Sequence, residues 1–203
     1  MSKSIQILNL GIGNLRSIQR ILKTLNEKVS IIDETSQYDK KSIIVLPGVG
    51  RFASAMTKIK NQSWDEILKL HAQQGNGLLG ICLGMQLMGI KSEENLESTG
   101  LGIFNYESVK ISNRGNVTNW IEITDNNSKE KVFEIENESF YFNHNFGIKD
   151  IKTNFDITYE TTCNNRYYAI LGKENNIGIQ FHPEKSQVSG FKLLAKTIKY
   201  LND

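Results

Sequence analysis

The segment 77–90 restricts the possible fold more than any other, because an apolar run passes directly into a helical pattern there. Residues 77–81 read GLLGI, which predicts a buried strand, and apolar side chains in 83–90 recur at helical spacing. A strand followed at once by a helix is typical of parallel sheets that carry helices on both faces. Functional sites in such folds lie beyond the carboxyl ends of the strands, so a site is expected at the junction 80–84.

The first hundred residues repeat this alternation of strand and helix. Further strands are predicted at 4–9, 28–33 and 42–46, and helices at 15–25 and 63–74. Ser63 and Glu66 have the spacing of a capping box at the start of the second helix, and Gly75 follows that helix as a stop.

From Gly100 onward the pattern changes to short strand-like segments separated by Asn, Gly, Ser and Lys. A final helix is predicted, with Val188, Phe191, Leu194, Ala195, Ile198 and Leu201 on one side. The predicted fold class is therefore α/β, with a central, mostly parallel sheet flanked by helices. An additional antiparallel strand region packs on that sheet or continues it.

Length and charge exclude several classes of protein. The 203 residues predict a single domain spanning 1–203. A formal charge of +2, from 24 Lys+Arg and 22 Asp+Glu, predicts no nucleic-acid or membrane partner. No apolar run approaches the roughly 18 residues that span a bilayer and no secretory pattern opens the chain, so a cytoplasmic protein is expected. With 2 Cys and 3 His, we expect no disulfide framework, no metal site and no cofactor.

Cys82 lies at the predicted strand–helix junction, in the pattern Gly-x-Cys-x-Gly formed with Gly80 and Gly84. This is the pattern of a nucleophile elbow, in which glycines allow a sharp turn and a close approach of neighbouring backbone. A helix N-terminus favours the thiolate, and its free N–H groups can stabilise an oxyanion. The pentapeptide alone leaves open a second interpretation, a small buried cysteine between packing glycines. Cys163 has no such elbow and no nearby histidine, and we expect no role for it.

A second candidate element ends in Phe-His-Pro-Glu at 181–184, after a predicted strand at 177–181. His182 and Glu184 are two residues apart, so both side chains can point the same way in an extended chain. This spacing suits an imidazole acting as general base, with a carboxylate that orients it. A lone histidine more often has a structural role, but together with Cys82 the pair would form a Cys–His–Glu triad.

The third candidate is the glycine-rich turn that ends the predicted strand at 42–46 and reads VLPGVG over 45–50. Its backbone N–H groups can point at an anion and complement the Leu83 N–H. A plain connection between strand and helix is the alternative. The Gly11-x-Gly13 pair does not predict a dinucleotide site, because Arg16 occupies the position of the third glycine.

These motifs together carry a family resemblance. LPGVG at 46–50, GICLGMQ at 80–86 and FHPE at 181–184, in this order and separation, resemble the class I (triad) glutamine amidotransferases over nearly the whole chain. Within that class, 11–17, 92–94, 100–102, 141–144 and 182–187 resemble the glutaminase subunit of imidazole glycerol phosphate synthase. The resemblance implies hydrolysis of L-glutamine and transfer of ammonia to a separate (β/α)8 cyclase in a heterodimer. The products would be imidazole glycerol phosphate and AICAR, in histidine biosynthesis.

The resemblance also implies roles for particular residues. Cys82 would be the nucleophile, His182 the base and acid, and Glu184 the orienting carboxylate. The implied oxyanion site comprises the backbone of Gly48, Val49, Gly50 and Leu83. The residues implied in glutamine binding are Gln86, Glu94, His144, Asn145 and Phe146. The residues implied on the face towards the synthase are Asn14, Trp120, Tyr141 and Lys185.

The chain departs from the family pattern at 9–11, at 116–121 and at 145–146. The second departure surrounds Trp120, so a related subunit that supplies ammonia for amidation of a surface-polysaccharide sugar is an alternative function. A stand-alone Cys peptidase or γ-glutamyl hydrolase is another, although peptidase relatives commonly have His directly after the nucleophile, where this chain has Leu83. A non-catalytic binding module is the third, and the complete triad argues against it.

Overall fold

The computed structural model describes residues 2–11, 13, 15–26, 28–111, 117–135 and 138–203. The α-helices are α1 (Leu15–Leu25), α2 (Phe52–Asn61), α3 (Trp64–Gln73), α4 (Leu83–Met88) and α5 (Gln187–Asn202). The first strands are β1 (Ile5–Leu8), β2 (Val29–Ile32), β3 (Ile43–Gly48), β4 (Leu78–Cys82), β5 (Lys91–Ser92) and β6 (Asn95–Thr99). The later strands are β7 (Glu107–Lys110), β8 (Val117–Asp125), β9 (Ser139–His144), β10 (Phe146–Gly147), β11 (Ile157–Thr161), β12 (Tyr168–Lys173) and β13 (Asn176–Ile179).

One large sheet organises the molecule, with the strand order β2-β1-β3-β4-β13-β12-β11-β8-β9. The pairs from β2 to β13 are parallel, and those from β13 to β9 are antiparallel. The α/β prediction is confirmed, and the antiparallel region continues the first sheet. A smaller sheet has the order β10-β7-β5-β6.

Alternating side chains of the central strands fill two separate cores. Ile43 and Val45 of β3 lie in a core with apolar residues of α1 and α5. Ile44 and Leu46 lie in a second core with residues of α2, α3 and α4. Each such side chain contributes about 1.5–3 kcal/mol on burial. Helices therefore cover both faces of the sheet, as the sequence predicts, and its strand ends remain available for a site.

Helix α2 was not predicted, and the capping box proposed for α3 is wrong. Buried Phe52, Ala55, Met56 and Ile59 form the inner face of α2. Ser63 adopts a left-handed conformation, φ 58°, and its side chain makes no capping hydrogen bond. The reason is the short turn between the two helices: the Ser63 N–H donates to Lys60 O, and this turn requires the left-handed backbone.

Two further boundaries differ from the predictions. Helix α4 ends at Met88 rather than at residue 90, because Gly89 is extended and packs against the Tyr106 ring. In α5, Val188 and Phe191 are exposed, and Leu193 lies with Leu194, Ile198 and Leu201 on the buried face. Among the described residues, no helix has the length and apolar character needed to cross a bilayer.

Candidate active site

Cys82 is the last residue of β4, and α4 begins at the next residue. Its backbone is strained, with φ 54° and ψ −108°, a conformation that costs about 1–3 kcal/mol outside glycine. Close packing explains both flanking glycines. A Cβ at Gly84 would lie 1.8 Å from the Leu46 carbonyl oxygen, and one at Gly80 would lie 2.6 Å from Met88 Sδ. The sharp turn predicted at 80–84 is present.

The strand order brings the three predicted motifs together. Strand β4 lies between β3 and β13, with Gly48 paired to Cys82 and Ile81 paired to Ile179. The glycine-rich turn at 48–50 and the segment that follows β13 therefore leave the sheet beside Cys82. That segment begins a 3₁₀ turn at Pro183–Lys185, preceded by His182.

His182 and Glu184 form a buried pair, with side chains only 2% and 4% exposed. His182 Nδ1 and Glu184 Oε1 are 2.9 Å apart. Burial lowers the pKa of His182, but its interactions with the Cys82 sulfur and the Glu184 carboxylate outweigh burial and raise the pKa to about 10. The other ring nitrogen, Nε2, has no hydrogen bond of normal geometry to any described residue. The proximity of the Cys82 sulfur to this ring still raises the pKa of His182 and favours the imidazolium.

A cavity of about 290 Å³ opens in front of Cys82. It contains every residue that the sequence assigned to glutamine binding and three of the four assigned to the oxyanion site. The fourth, Gly48, pairs with Cys82 in the sheet and is not in the lining. The lining residues are Val49, Gly50, Cys82, Leu83, Gln86, Glu94, Asn143, His144, Asn145 and Phe146. A larger cavity of about 770 Å³ on the antiparallel half shares no residue with this one.

The carbonyl oxygen of Phe146 organises one end of the cavity. It accepts hydrogen bonds from Gln86 Nε2 at 2.7 Å and from His144 Nδ1 at 2.8 Å. Because a carbonyl oxygen only accepts, Nδ1 of His144 carries the proton. Burial lowers the pKa of His144 to about 4, against a smaller raising effect of this hydrogen bond. His144 is therefore neutral at pH 7, and its buried Nε2 has no partner among the described residues.

Glu94 lines the cavity and also holds the start of α2. Its Oε2 accepts a hydrogen bond of 2.8 Å from the backbone N–H of Phe52, the first residue of that helix. A carboxylate at a helix N-terminus is favourable, because the free N–H groups there carry partial positive charge. Glu94 therefore connects the turn between β5 and β6 to the end of the glycine-rich turn, a contact the sequence did not predict.

Two polar residues near Cys82 were missed by the sequence analysis. Asn143 lines the cavity. Gln180 is fully buried, with Oε1 3.4 Å from Gln86 Nε2 and Nε2 4.0 Å from Cys82 Sγ. A signal for Gln180 existed: it is a polar side chain in an otherwise apolar strand, two residues before His182 and so on the same side of the chain.

Three of the four residues assigned to the synthase face cluster at one surface. Trp120 and Tyr141 are paired on β8 and β9, with ring centroids 6.0 Å apart in an edge-to-face arrangement. Lys185 Nζ lies 5.4 Å from the centre of the Tyr141 ring. The Tyr141 carbonyl accepts a hydrogen bond of 2.9 Å from the His182 N–H, so this surface adjoins the candidate triad. Asn14 lies outside the described residues.

Comparison with known proteins agrees with this geometry. The family model of class-I glutamine amidotransferases matches residues 6–198. The chain is 31% identical to imidazole glycerol phosphate synthase subunit HisH of Bacillus velezensis, covering 96% of this chain and 95% of that one. It is 36% identical to subunit HisH 2 of Methanococcus maripaludis, covering 96% and 98%. The structure of PurLQS from Thermotoga maritima shares the fold, with a TM-score of 0.75, 18% identity and coverage of 99% and 100%.

The fold, the strained cysteine at the strand–helix junction and the family match define the class: the chain belongs to the class-I glutamine amidotransferases. Within that class it belongs to the family of the HisH subunits of imidazole glycerol phosphate synthase.

Proposed function

We propose that this chain is a glutaminase subunit that hydrolyses L-glutamine to glutamate and passes the ammonia to a separate (β/α)8 cyclase of histidine biosynthesis. The observation that carries the proposal is the cavity in front of Cys82, which joins the nucleophile to the glutamine-binding candidates. The names of the curated relatives support the pathway.

The reaction begins when the Cys82 thiolate attacks the carbonyl carbon of the glutamine side-chain amide. His182, protonated and oriented by Glu184 through the 2.9 Å contact, gives its proton to the leaving nitrogen as ammonia departs. A glutamyl thioester remains on Cys82. The neutral imidazole then takes a proton from water, and the hydroxide formed releases glutamate and restores the thiolate.

The oxyanion of each tetrahedral intermediate needs donors beside Cys82. The backbone N–H of Leu83 and the turn at 48–50 supply them, since β3 pairs Gly48 directly with Cys82. Loss of one such donor reduces the rate by roughly 100- to 1000-fold. Reorientation of the turn is therefore sufficient to switch the glutaminase on or off.

The other lining residues hold the amino-acid end of glutamine. The Glu94 carboxylate attracts the α-ammonium group, while Gln86 fixes the segment 144–146 through its bond to the Phe146 carbonyl. Most free ammonia is protonated at neutral pH, so transfer requires a sheltered path into a second active site. The surface of Trp120, Tyr141 and Lys185 is the proposed docking face, because it adjoins His182.

The experiment measures glutamate release from L-glutamine by the purified chain, with and without a (β/α)8 cyclase of the histidine pathway carrying its own substrate. We expect slow release alone, a large increase with the cyclase, and formation of imidazole glycerol phosphate. Cys82→Ala should abolish release, whereas Cys163→Ala, at the other cysteine, should not reduce it.

Glutamate release that survives in Cys82→Ala would contradict the assignment of Cys82 as the nucleophile. Rapid release that no cyclase changes would favour a stand-alone amide hydrolase. Stimulation without imidazole glycerol phosphate would direct attention to the surface-sugar alternative.

A further inference from the structure

A chain of side-chain amides runs from the cavity wall to the candidate nucleophile. It begins at the Phe146 carbonyl, passes through Gln86 Nε2 at 2.7 Å and reaches Gln180 Oε1 at 3.4 Å. Gln180 Nε2 ends the chain, 4.0 Å from Cys82 Sγ. Gln180 does not line the cavity, so its only route to the reaction is through its neighbours.

The direction of each amide follows from the chemistry of the partners. The Phe146 carbonyl accepts only, so the Gln86 atom beside it must be the NH₂ group. That same nitrogen lies beside the amide of Gln180, so the Gln180 atom facing it must be the oxygen. The Gln180 NH₂ group is consequently left on the side of the Cys82 sulfur. The backbone at 146 thus determines that the sulfur faces a donor rather than an acceptor.

We propose that Gln180 is a positioning residue of the glutaminase reaction: its amide, oriented by Gln86, presents an N–H to the Cys82 sulfur and holds the thiolate ready to attack. The proposal rests on the proposed function of Cys82 as nucleophile. A donor near a charged acceptor contributes most where water is excluded, and Gln180 is fully buried. Because this series of hydrogen-bonded amides starts at the Phe146 carbonyl, it also links the glutamine-binding wall of the cavity to the nucleophile.

The test replaces Gln180 with methionine, which has a similar volume and offers no N–H donor. The Gln180→Met variant and the parent protein it is compared with both carry Cys163→Ser, so that Cys82 is the cysteine that reacts. Alkylation by iodoacetamide is measured against pH, and glutaminase kinetics are measured with the cyclase present. For Gln180→Met we expect the alkylation midpoint to rise by about one pH unit and the rate at pH 7 to fall about tenfold. We expect kcat to fall by a similar factor, and KM to stay within about twofold.

A matched control separates this effect from a general loss of packing. Gln6 is also a buried glutamine of the same sheet, bonded to Gln37 O and to the Asp39 N–H away from Cys82. Gln6→Met should leave the alkylation profile unchanged. An unchanged profile and an unchanged kcat in folded Gln180→Met would overturn the proposal.

Gln180→Glu is the second variant, to be used if the methionine variant does not fold. It keeps the size and the acceptor for Gln86, but places a carboxylate beside the sulfur. The alkylation midpoint should then rise at least as far, and an unshifted midpoint would count against Gln180. If the Cys163→Ser parent shows no reactive Cys82 and no glutamate release, the proposed function fails as well. A reactive parent with unaffected Gln180 variants contradicts this inference alone.

Discussion

Two histidines near one cavity have opposite protonation preferences, although both are buried. Burial lowers both pKa values, but the Cys82 sulfur and the Glu184 carboxylate raise that of His182 to about 10. For His144 burial dominates, the hydrogen bond to the Phe146 carbonyl opposes it only in part, and the nearby His182 lowers the pKa further, to about 4. At pH 7 the first is a cation that can serve as an acid, and the second is a neutral donor that orients the cavity wall.

The low pKa of His144 predicts an acid-dependent loss of stability. The unfolded chain binds its proton near pH 6.5 and the folded chain only near pH 4. Stability from this residue is therefore complete above about pH 6.5 and falls by up to roughly 3 kcal/mol as the pH drops to 4. Urea unfolding of the wild type and of His144→Gln at pH 7, 5.5 and 4.5 should show a smaller pH dependence in the variant. Burial also lowers the pKa of His71, but His71 is present in both proteins and contributes the same pH dependence of stability to each. Parallel curves would contradict the prediction.

At the residue scale the sequence predicts the residues that stand in local motifs, but not the partners that lie outside those motifs. Cys82, His182 and Glu184 stand in local patterns whose chemistry is readable. For Gln180 the sequence shows only a polar side chain in a predicted apolar strand, and its contacts with Gln86 and Cys82 join positions more than ninety residues apart. Such contacts depend on which strands become neighbours, and no single-sequence pattern specifies that.

At the level of elements, β1 to β4 were predictable because each is a short apolar run, whereas β13, which pairs parallel with β4, lies in the region predicted to be mostly antiparallel. Helix α2 was missed, because its apolar residues begin directly after the glycine-rich turn and look like a continuation of it. The turn between α2 and α3 was also misjudged: Ser63 has the residue type of a cap but uses its backbone to close the preceding helix. Residue type predicts an N-cap only where the backbone of that residue is not already used by the preceding helix.

Gly50 allows a test of the turn between β3 and α2. Its φ is 124°, and a Cβ there would meet no atom within 4 Å, so Gly50→Ala introduces backbone strain without a clash. We expect the variant to fold but to lose at least tenfold in cyclase-stimulated glutaminase activity, by analogy with the loss of an oxyanion donor. Steady-state kinetics with saturating cyclase provide the measurement.

Gly75→Ala is the control for this variant. Gly75 also has a positive φ, 71°, and open space, but it lies before β4, at the opposite end from Cys82. That variant should show a lower melting temperature and unchanged kcat. Equal kinetic losses in both variants would mean that the Gly50 effect is general destabilisation.

At the level of the whole molecule, chemistry and proposed docking occupy different parts of one sheet. Cys82 stands among the central strands, whereas Trp120 and Tyr141 stand on β8 and β9 at the far edge. The hydrogen bonds from the His182 N–H to the Tyr141 carbonyl and from the Tyr141 N–H to Ser186 Oγ join that edge to the segment that carries the histidine. The described part of the departure from the family pattern, residues 117–121, therefore lies in β8 on the proposed docking side and includes no triad residue.

Trp120 should contribute to cyclase binding and not to glutamine hydrolysis. Its side chain is 43% exposed and packs edge-to-face on Tyr141. We expect Trp120→Ser to weaken cyclase binding about tenfold or more, as large aromatic residues do at interface centres, while unstimulated glutamate release stays within twofold. Titration calorimetry with the cyclase measures the first effect and a glutaminase assay the second.

Leu70→Ser is the matched control, because Leu70 is an exposed apolar residue (54%, against 43% for Trp120) on α3, near the opposite end of the strands. Its cyclase affinity should match that of the wild type. Unaltered affinity in Trp120→Ser would place the docking face elsewhere.

The order β3-β4-β13 has a consequence for anyone who wants to transplant this chemistry. The cysteine, the donor-bearing turn and the histidine belong to segments more than a hundred residues apart from first to last, and they meet only because three strands lie side by side. Grafting the pentapeptide around Cys82 onto another scaffold would reproduce the cysteine on its sharp turn, but neither the histidine nor the oxyanion donors. The smallest portable unit is the three strands with α4 and the segment 182–185, because Gly84 in that helix approaches the Leu46 carbonyl too closely for any side chain.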